Sequence, residues 1–193
     1  MEHKLIVILD PAHGEDVMGK ASPDGLHREY VWSRHICRLL KQALEEKGYQ
    51  VEVTNDSLKE IGLSKRQRMA NQINCPAGHK KFLVSLHNNA AGSDGQWKNA
   101  RGFEIWTSPG KTSSDKFASI ILDNLAKDFP QFKNRGLKEN TFTVLMGSSY
   151  SAVLIEWLFQ DNKEDVEVLK NDTQNNLFIN SLVKSIEEID KTL

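Results

Sequence analysis

Lys4-Leu5-Ile6-Val7-Ile8-Leu9-Asp10-Pro11-Ala12-His13-Gly14 is the stretch that decides the fold class of this chain. The run from Lys4 to Leu9 is short, apolar and rich in β-branched residues, and Asp, Pro and Gly break it. That pattern predicts a buried central strand, because a strand with one wet face alternates instead. A second run of the same kind, Lys81-Phe82-Leu83-Val84-Ser85-Leu86, ends on His87. A third, Ala152-Val153-Leu154-Ile155, ends on Glu156.

Working outward, the loop from Asp10 to about Leu26 carries Gly, Asp and Pro. Val31, Trp32, Ile36, Leu39, Leu40 and Leu44 then recur at helical spacing, so a helix is expected over residues 28–47, stopped by Gly48. Residues 49–54 alternate like a strand. A short helix is expected over 64–73 with Ser64 as its cap, and a strand over 101–107. A helix follows over about 114–128, then strands over 141–145 and 152–158. Helices over 163–170 and 175–191 close the chain, the last with Leu177, Phe178, Leu182, Ile186 and Ile189 in one stripe. Strands alternating with helices predict an α/β fold in a single domain, with a mixed, mostly parallel sheet and helices on both faces. In such sheets ligands bind beyond the carboxyl ends of the strands. Side chains ending parallel strands then emerge together there.

Composition narrows the function. The chain has 193 residues, 39% hydrophobic and 26% charged, with a net charge of −1. One domain is the default at this length. The near-neutral charge predicts no strong pull toward nucleic acid or an anionic membrane. No stretch has the roughly 20 apolar residues of a membrane span. Met1-Glu2-His3-Lys4-Leu5 carries no signal-peptide hydrophobic region, so the expectation is release from the cytoplasm by another agent, or a leader already removed. Cys37 and Cys75 have no metal-motif spacing, and Cys37 reads as a small core residue.

Two imidazoles and one carboxylate form the ligand set of a catalytic zinc site that keeps one position for water. His13, Glu29 and His87 are the candidates. Glu29 alone reads equally well as a first-turn helix acid, and His27 is an alternative ligand two residues away. Glu156 lies between Ile155 and Trp157 in an apolar run, where a buried unpaired carboxylate costs several kcal/mol. Such a group usually has a partner or a task, and here the task is that of a general base. Asp10 is a candidate to orient His13. His3, His35 and His79 read as ordinary polar residues.

Four segments in order resemble one family. They are Ile8-Leu9-Asp10-Pro11-Ala12-His13-Gly14, Gly25-Leu26-His27-Arg28-Glu29, Ser85-Leu86-His87-Asn88-Asn89, and Val153-Leu154-Ile155-Glu156 with Phe159 and Asn162 after it. A weaker match runs through Leu63, Arg66, Ala70 and Asn71. Together they resemble the zinc-dependent N-acetylmuramoyl-L-alanine amidases of the LytC/AmiC type. The resemblance implies a phosphorylase/hydrolase-like α/β fold over residues 1–193 as one catalytic domain. It implies Zn2+ held by His13, Glu29 and His87, with Glu156 as catalytic acid/base. It also implies a peptidoglycan substrate, cut between N-acetylmuramic acid and the L-alanine of the stem peptide. Departures include Ala12 where glycine is usual, which costs strain if that position needs positive φ, and Asn55 where an arginine commonly stands.

Two rivals remain at this stage: a zinc peptidase cutting within the stem, and a non-catalytic wall-binding domain. The polar loop 88–100 carries Trp97, either a sugar-stacking residue or a surface aromatic. Regulated members of the family carry an inserted plug helix after the strand matching 102–107, and residues 108–113 leave no room for one. An enzyme controlled by access is therefore expected, with phage lysis the favoured setting and wall remodelling the alternative.

Overall fold

A computed structural model describes residues 3–193; Met1 and Glu2, where the N-terminal leader reading begins, lie outside the described residues. The chain runs β1 (Leu5–Pro11), α1 (Glu29–Glu45), β2 (Gln50–Val53), α2 (Leu63–Gln72), β3 (Lys80–Asn89), β4 (Phe103–Thr107), α3 (Ser113–Asp128), β5 (Asn134–Glu139), a 3₁₀ turn (Thr143–Leu145), β6 (Ser151–Phe159), α4 (Lys163–Leu169) and α5 (Asp172–Asp190).

The strands form one sheet in the order β2-β1-β3-β6-β4-β5. All pairings are parallel except β4 against β6. The apolar runs behave as their composition requires: every residue of β1 is buried. Successive side chains alternate between faces. Leu5, Val7 and Leu9 join Phe82, Val84, Val153 and Ile155 in a large core beneath α1, α3 and α5. Ile8, Leu83, Ala152 and Leu154 point the other way, into a smaller core closed by Ala70 of α2 and by Val144 and Leu145 of the 3₁₀ turn.

That second face carries the polar residues. Continuing each alternation past the small core brings Asp10 on β1, Ser85 and His87 on β3, and Glu156 on β6 to one end of one face. Because β1, β3 and β6 are mutually parallel, their carboxyl ends coincide, as the runs of sequence imply. A bulge sharpens the end of β6. His87 pairs with Glu156 but Asn89 pairs with Phe159, so β6 holds one extra residue, and Leu158 there has φ 61°. Trp157 and Leu158 consequently both enter the large core, while the strand bends at the site, a common use of bulges.

Three expectations need correcting. Residues 141–145 are not a strand; Thr143–Leu145 make a 3₁₀ turn that caps the small core. The helix expected from Ser64 starts at Leu63, with Gly62 as its N-cap and no side-chain cap. Val31, placed on the apolar stripe of α1, is 51% exposed. The sequence reading also missed β5. Its residues, Asn-Arg-Gly-Leu-Lys-Glu, are polar because β5 is an edge strand with solvent on one side, and edge strands favour charge. Lys81, inside β3, is buried, and its Nζ donates to the carbonyls of Ala70, Asn71 and Ile73. It thus satisfies the open C-terminal end of α2.

Candidate metal centre

His13 follows β1, Glu29 is the first residue of α1, and His87 lies near the end of β3. The structure brings them together: one ligand atom from each lies within 4.8 Å of the others. His13 Nε2 is 3.4 Å from Glu29 Oε2, and His87 Nδ1 is 3.0 Å from Glu29 Oε1. The imidazole planes are crossed at 87° with centroids 5.1 Å apart. Ligand atoms of a tetrahedral zinc site with bonds of about 2.0–2.1 Å lie roughly 3.4 Å apart, so the present spacing and the N, N, O donor set suit such an ion.

Charge on these groups is mutually supported. Burial works against ionised Glu29, yet hydrogen bonds from His13 and His87 and their charge hold its pKa far below the usual range. Burial likewise disfavours charged His87, and the Glu29 hydrogen bond and charge overcome it, so its pKa is raised. Two groups outside the sequence reading anchor the carboxylate: the Asn88 backbone N–H donates to Oε1 at 3.0 Å, and Gln160 Nε2 donates to Oε2 at 3.2 Å. A backbone contact leaves no residue-type signal, and Gln160 lies just past β6, between Phe159 and Asn162 of the family resemblance but not itself part of it.

Of Glu29 and His27, it is Glu29 whose carboxylate meets both imidazoles. His27 Nε2 pairs with Asn88 Oδ1 at 2.8 Å, and burial lowers its pKa. Asp10 does not touch His13. It accepts hydrogen bonds from Thr54, from Arg66 Nη1 at 3.0 Å and from Ser85 Oγ at 2.6 Å. The strain assigned to Ala12 belongs one residue later: His13 has φ 50°. A left-handed non-glycine residue costs about 1–2 kcal/mol, so its surroundings must hold it there.

Glu156, on β6, sits directly across from His87 on β3 and from Glu104 on β4. Its Oε2 is buried without a hydrogen-bond partner among the described residues. Burial pushes its pKa up to about 7; His87 opposes the rise, and the nearby negative charges of Glu29 and Glu104 add to it. Glu104 stays ionised because Arg135 Nε at 2.7 Å and Lys138 Nζ at 2.6 Å grip it. Both cations come from the unrecognised strand β5, which is why no sequence pattern linked them to Glu156.

Around this cluster lies an open cleft of about 480 Å³, lined by His13, Glu29, His87, Glu156, Asn89 and Gln160 on the sheet side and Phe142 to Val144 opposite. Lys20 also lines it, and its ammonium has no hydrogen bond or ion pair among the described residues. Trp97 is elsewhere. Its ring lies 5.6 Å from Lys163 Nζ, and the loop around it is tied down by Asp161, which accepts from the amides of Ala91 and Gly92. Only residues 108–112 join β4 to α3, so no inserted helix stands at that side of the cleft.

Three side chains that could hold a metal ion, beside the carboxyl of Glu156 at one end of a mostly parallel sheet, suit a hydrolase of the α/β class. The sequence profile of the N-acetylmuramoyl-L-alanine amidases matches residues 7–188, and the chain belongs to that family. The endolysin of Bacillus phage SPP1 is 30% identical over 190 residues, covering 95% of this chain and 64% of that protein. A probable cell wall amidase LytH of Staphylococcus epidermidis is 22% identical, covering 94% of this chain and 57% of its own length. The chain thus spans about six-tenths of these curated relatives. The crystal structure of an N-acetylmuramoyl-L-alanine amidase from Clostridium difficile 630 superposes with a TM-score of 0.85 at 26% identity, with 97% of both chains covered. No helix of the described residues is long and apolar enough to cross a membrane.

Proposed function

We propose that residues 1–193 form a zinc-dependent catalytic domain of the LytC/AmiC type. It hydrolyses the amide between N-acetylmuramic acid and L-alanine in peptidoglycan, and so acts at the bacterial cell wall. The observation that carries this reading is the meeting of His13, Glu29 and His87 within 4.8 Å beside the unpartnered Oε2 of Glu156. In this reading the trio holds the ion. A bound zinc supplies a water ionised near neutral pH and polarisation of the amide carbonyl.

The protein's own work is done by Glu156. A carboxyl with pKa raised to about 7 both accepts and returns a proton near neutral pH. Its free Oε2 takes the proton of the attacking water and later delivers it to the departing alanine nitrogen. Glu104 keeps that carboxyl basic enough to act, while its own charge is absorbed by Arg135 and Lys138. Asn88 and Gln160 keep Glu29 from swinging into the cleft. The openness of the cleft suits a long polymeric substrate.

The test is digestion of purified peptidoglycan with and without a chelator, followed by identification of the new ends. The reading expects peptide-free glycan and a free L-alanine N-terminus, both lost with the chelator. New ends within the stem peptide would instead identify a peptidase.

A further inference from the structure

Two of the three ligands stand on regular elements, Glu29 on α1 and His87 on β3. His13 does not: it lies two residues beyond Pro11, the last residue of β1, in an irregular loop. How this ligand is held decides how well the trio closes on an ion.

The restraint comes from α1. Arg34 Nη2 donates to the carbonyl of His13 at 2.7 Å, and Arg34 Nη1 donates to that of Ala12 at 3.0 Å. Arg66 Nη2 reaches the same His13 carbonyl at 2.9 Å. The residue before Arg34 completes the frame. Ser33 Oγ accepts from the Ala12 amide at 2.8 Å and donates to the Leu86 carbonyl at 2.6 Å, one residue before His87. Adjacent residues of α1 thus tie the segments bearing His13 and His87 to the helix that begins with Glu29. All three ligand-bearing segments become one rigid body.

The chemistry chosen is costly for mere support. Two guanidinium groups converge on one oxygen, and Arg34 has no carboxylate within salt-bridge distance among the described residues, whereas Arg66 is paired with Asp10 and Glu60. Burial and the charge of Arg66 both disfavour the charged form of Arg34. A neutral donor would close an ordinary turn without this repulsion. The guanidinium presents its N–H groups in a planar, rigid fork: it grips the carbonyls of Ala12 and His13 and so fixes in orientation the two peptide units that flank His13.

We propose that Ser33 and Arg34 are positioning residues that set the metal affinity of the site by fixing the left-handed His13 relative to Glu29 and His87. The proposal rests on the metal-site reading above. It does not concern the chemistry of Glu156.

The test is zinc affinity, measured by competition with a chromogenic chelator, for wild type, Arg34→Gln, Arg34→Lys and Ser33→Ala. Thermal unfolding of each protein in EDTA is recorded alongside, and affinities are compared well below the unfolding range. Groups that orient ligands from behind typically change metal affinity roughly 10–100-fold when removed. Arg34→Gln and Ser33→Ala should fall in that range, and Arg34→Lys, which keeps the charge but not the fork, should recover only part. A merely structural role lowers the unfolding temperature but leaves the folded protein's affinity within about twofold of wild type, and that result overturns the proposal. Failure of both Arg34 variants and Ser33→Ala to fold also overturns it, since these residues would then be folding elements. If wild type itself does not compete for zinc, the fault lies in the metal-site reading, and the proposal falls with it.

Discussion

Replacing Glu156 by glutamine should stabilise the metal-free protein at alkaline pH, although it removes the group assigned to catalysis. Glu156 is half-buried at the edge of the cleft beside two other carboxylates, and its buried Oε2 has no partner among the described residues. Its pKa rises from the ordinary 4.5 to about 7 on folding, which corresponds to about 3 kcal/mol at 1.36 kcal/mol per pH unit. The sign follows from linkage. A carboxyl that binds its proton more tightly when folded favours the folded state fully below pH 4.5, and that contribution is lost as pH climbs through 7. Glutamine mimics the protonated carboxyl at every pH. Urea unfolding in EDTA at pH 4.5 and pH 8.5 therefore reads the effect directly. The two proteins should differ by a few tenths of a kcal/mol at the lower pH, and the variant should be more stable by up to about 3 kcal/mol at the higher one. An equal gap at both pH values, or a wild type that is the more stable at pH 8.5, would refute the claim that this carboxylate is buried without compensation.

The other predictions concern the same neighbourhood. Glu104→Gln removes a negative charge beside Glu156 and frees Arg135 and Lys138, so the acidic limb of the pH–rate profile should move to lower pH; Lys20→Met, which deletes an attractive charge, should move it the other way. A limb unmoved by either change would dissociate Glu156 from the profile. Zinc affinity should weaken as pH falls through the titration of His87, whose raised pKa makes protons compete sooner than at an ordinary histidine; chelator competition across pH 5.5–8 checks this, and a flat response contradicts it. At Gly14 an added Cβ would stand 2.0 Å from the backbone nitrogen of Glu60, so Gly14→Ala should cost about 2 kcal/mol, or roughly 4–8 °C in Tm for a chain of this size. An unchanged Tm would show that the loop gives way freely.

Much of this architecture is legible in the residues because apolar strand runs report burial directly. β1, β3 and β6 are central and parallel, so each reads as a continuous hydrophobic stretch, and the polar residue at its end marks the sheet edge. The same logic hides β5, where Arg135 and Lys138 serve an edge strand and a buried glutamate together. Residues 141–145 alternate like a strand, yet their apolar side chains cap the small core from a tight turn. Periodicity over five residues does not separate those two outcomes. Glu29 is the preferred ligand in the sequence and His27 the substitute two residues away; in the fold His27 pairs with Asn88, while Glu29 meets the two histidines. Asp10, three residues before His13, bonds Arg66 and Ser85 and not His13, because alternation along β1 sends it to the small-core face. Ser33 and Arg34 carried no signal, since their partners are backbone carbonyls and an amide.

The most direct measurement is the zinc content of purified wild type, His13→Ala, His87→Ala and Glu156→Gln, each paired with turnover of peptidoglycan. The account predicts a full complement of zinc in wild type and Glu156→Gln, depleted metal in both histidine variants, and turnover in wild type alone. Undiminished zinc in the histidine variants, or substantial turnover by Glu156→Gln, would contradict it.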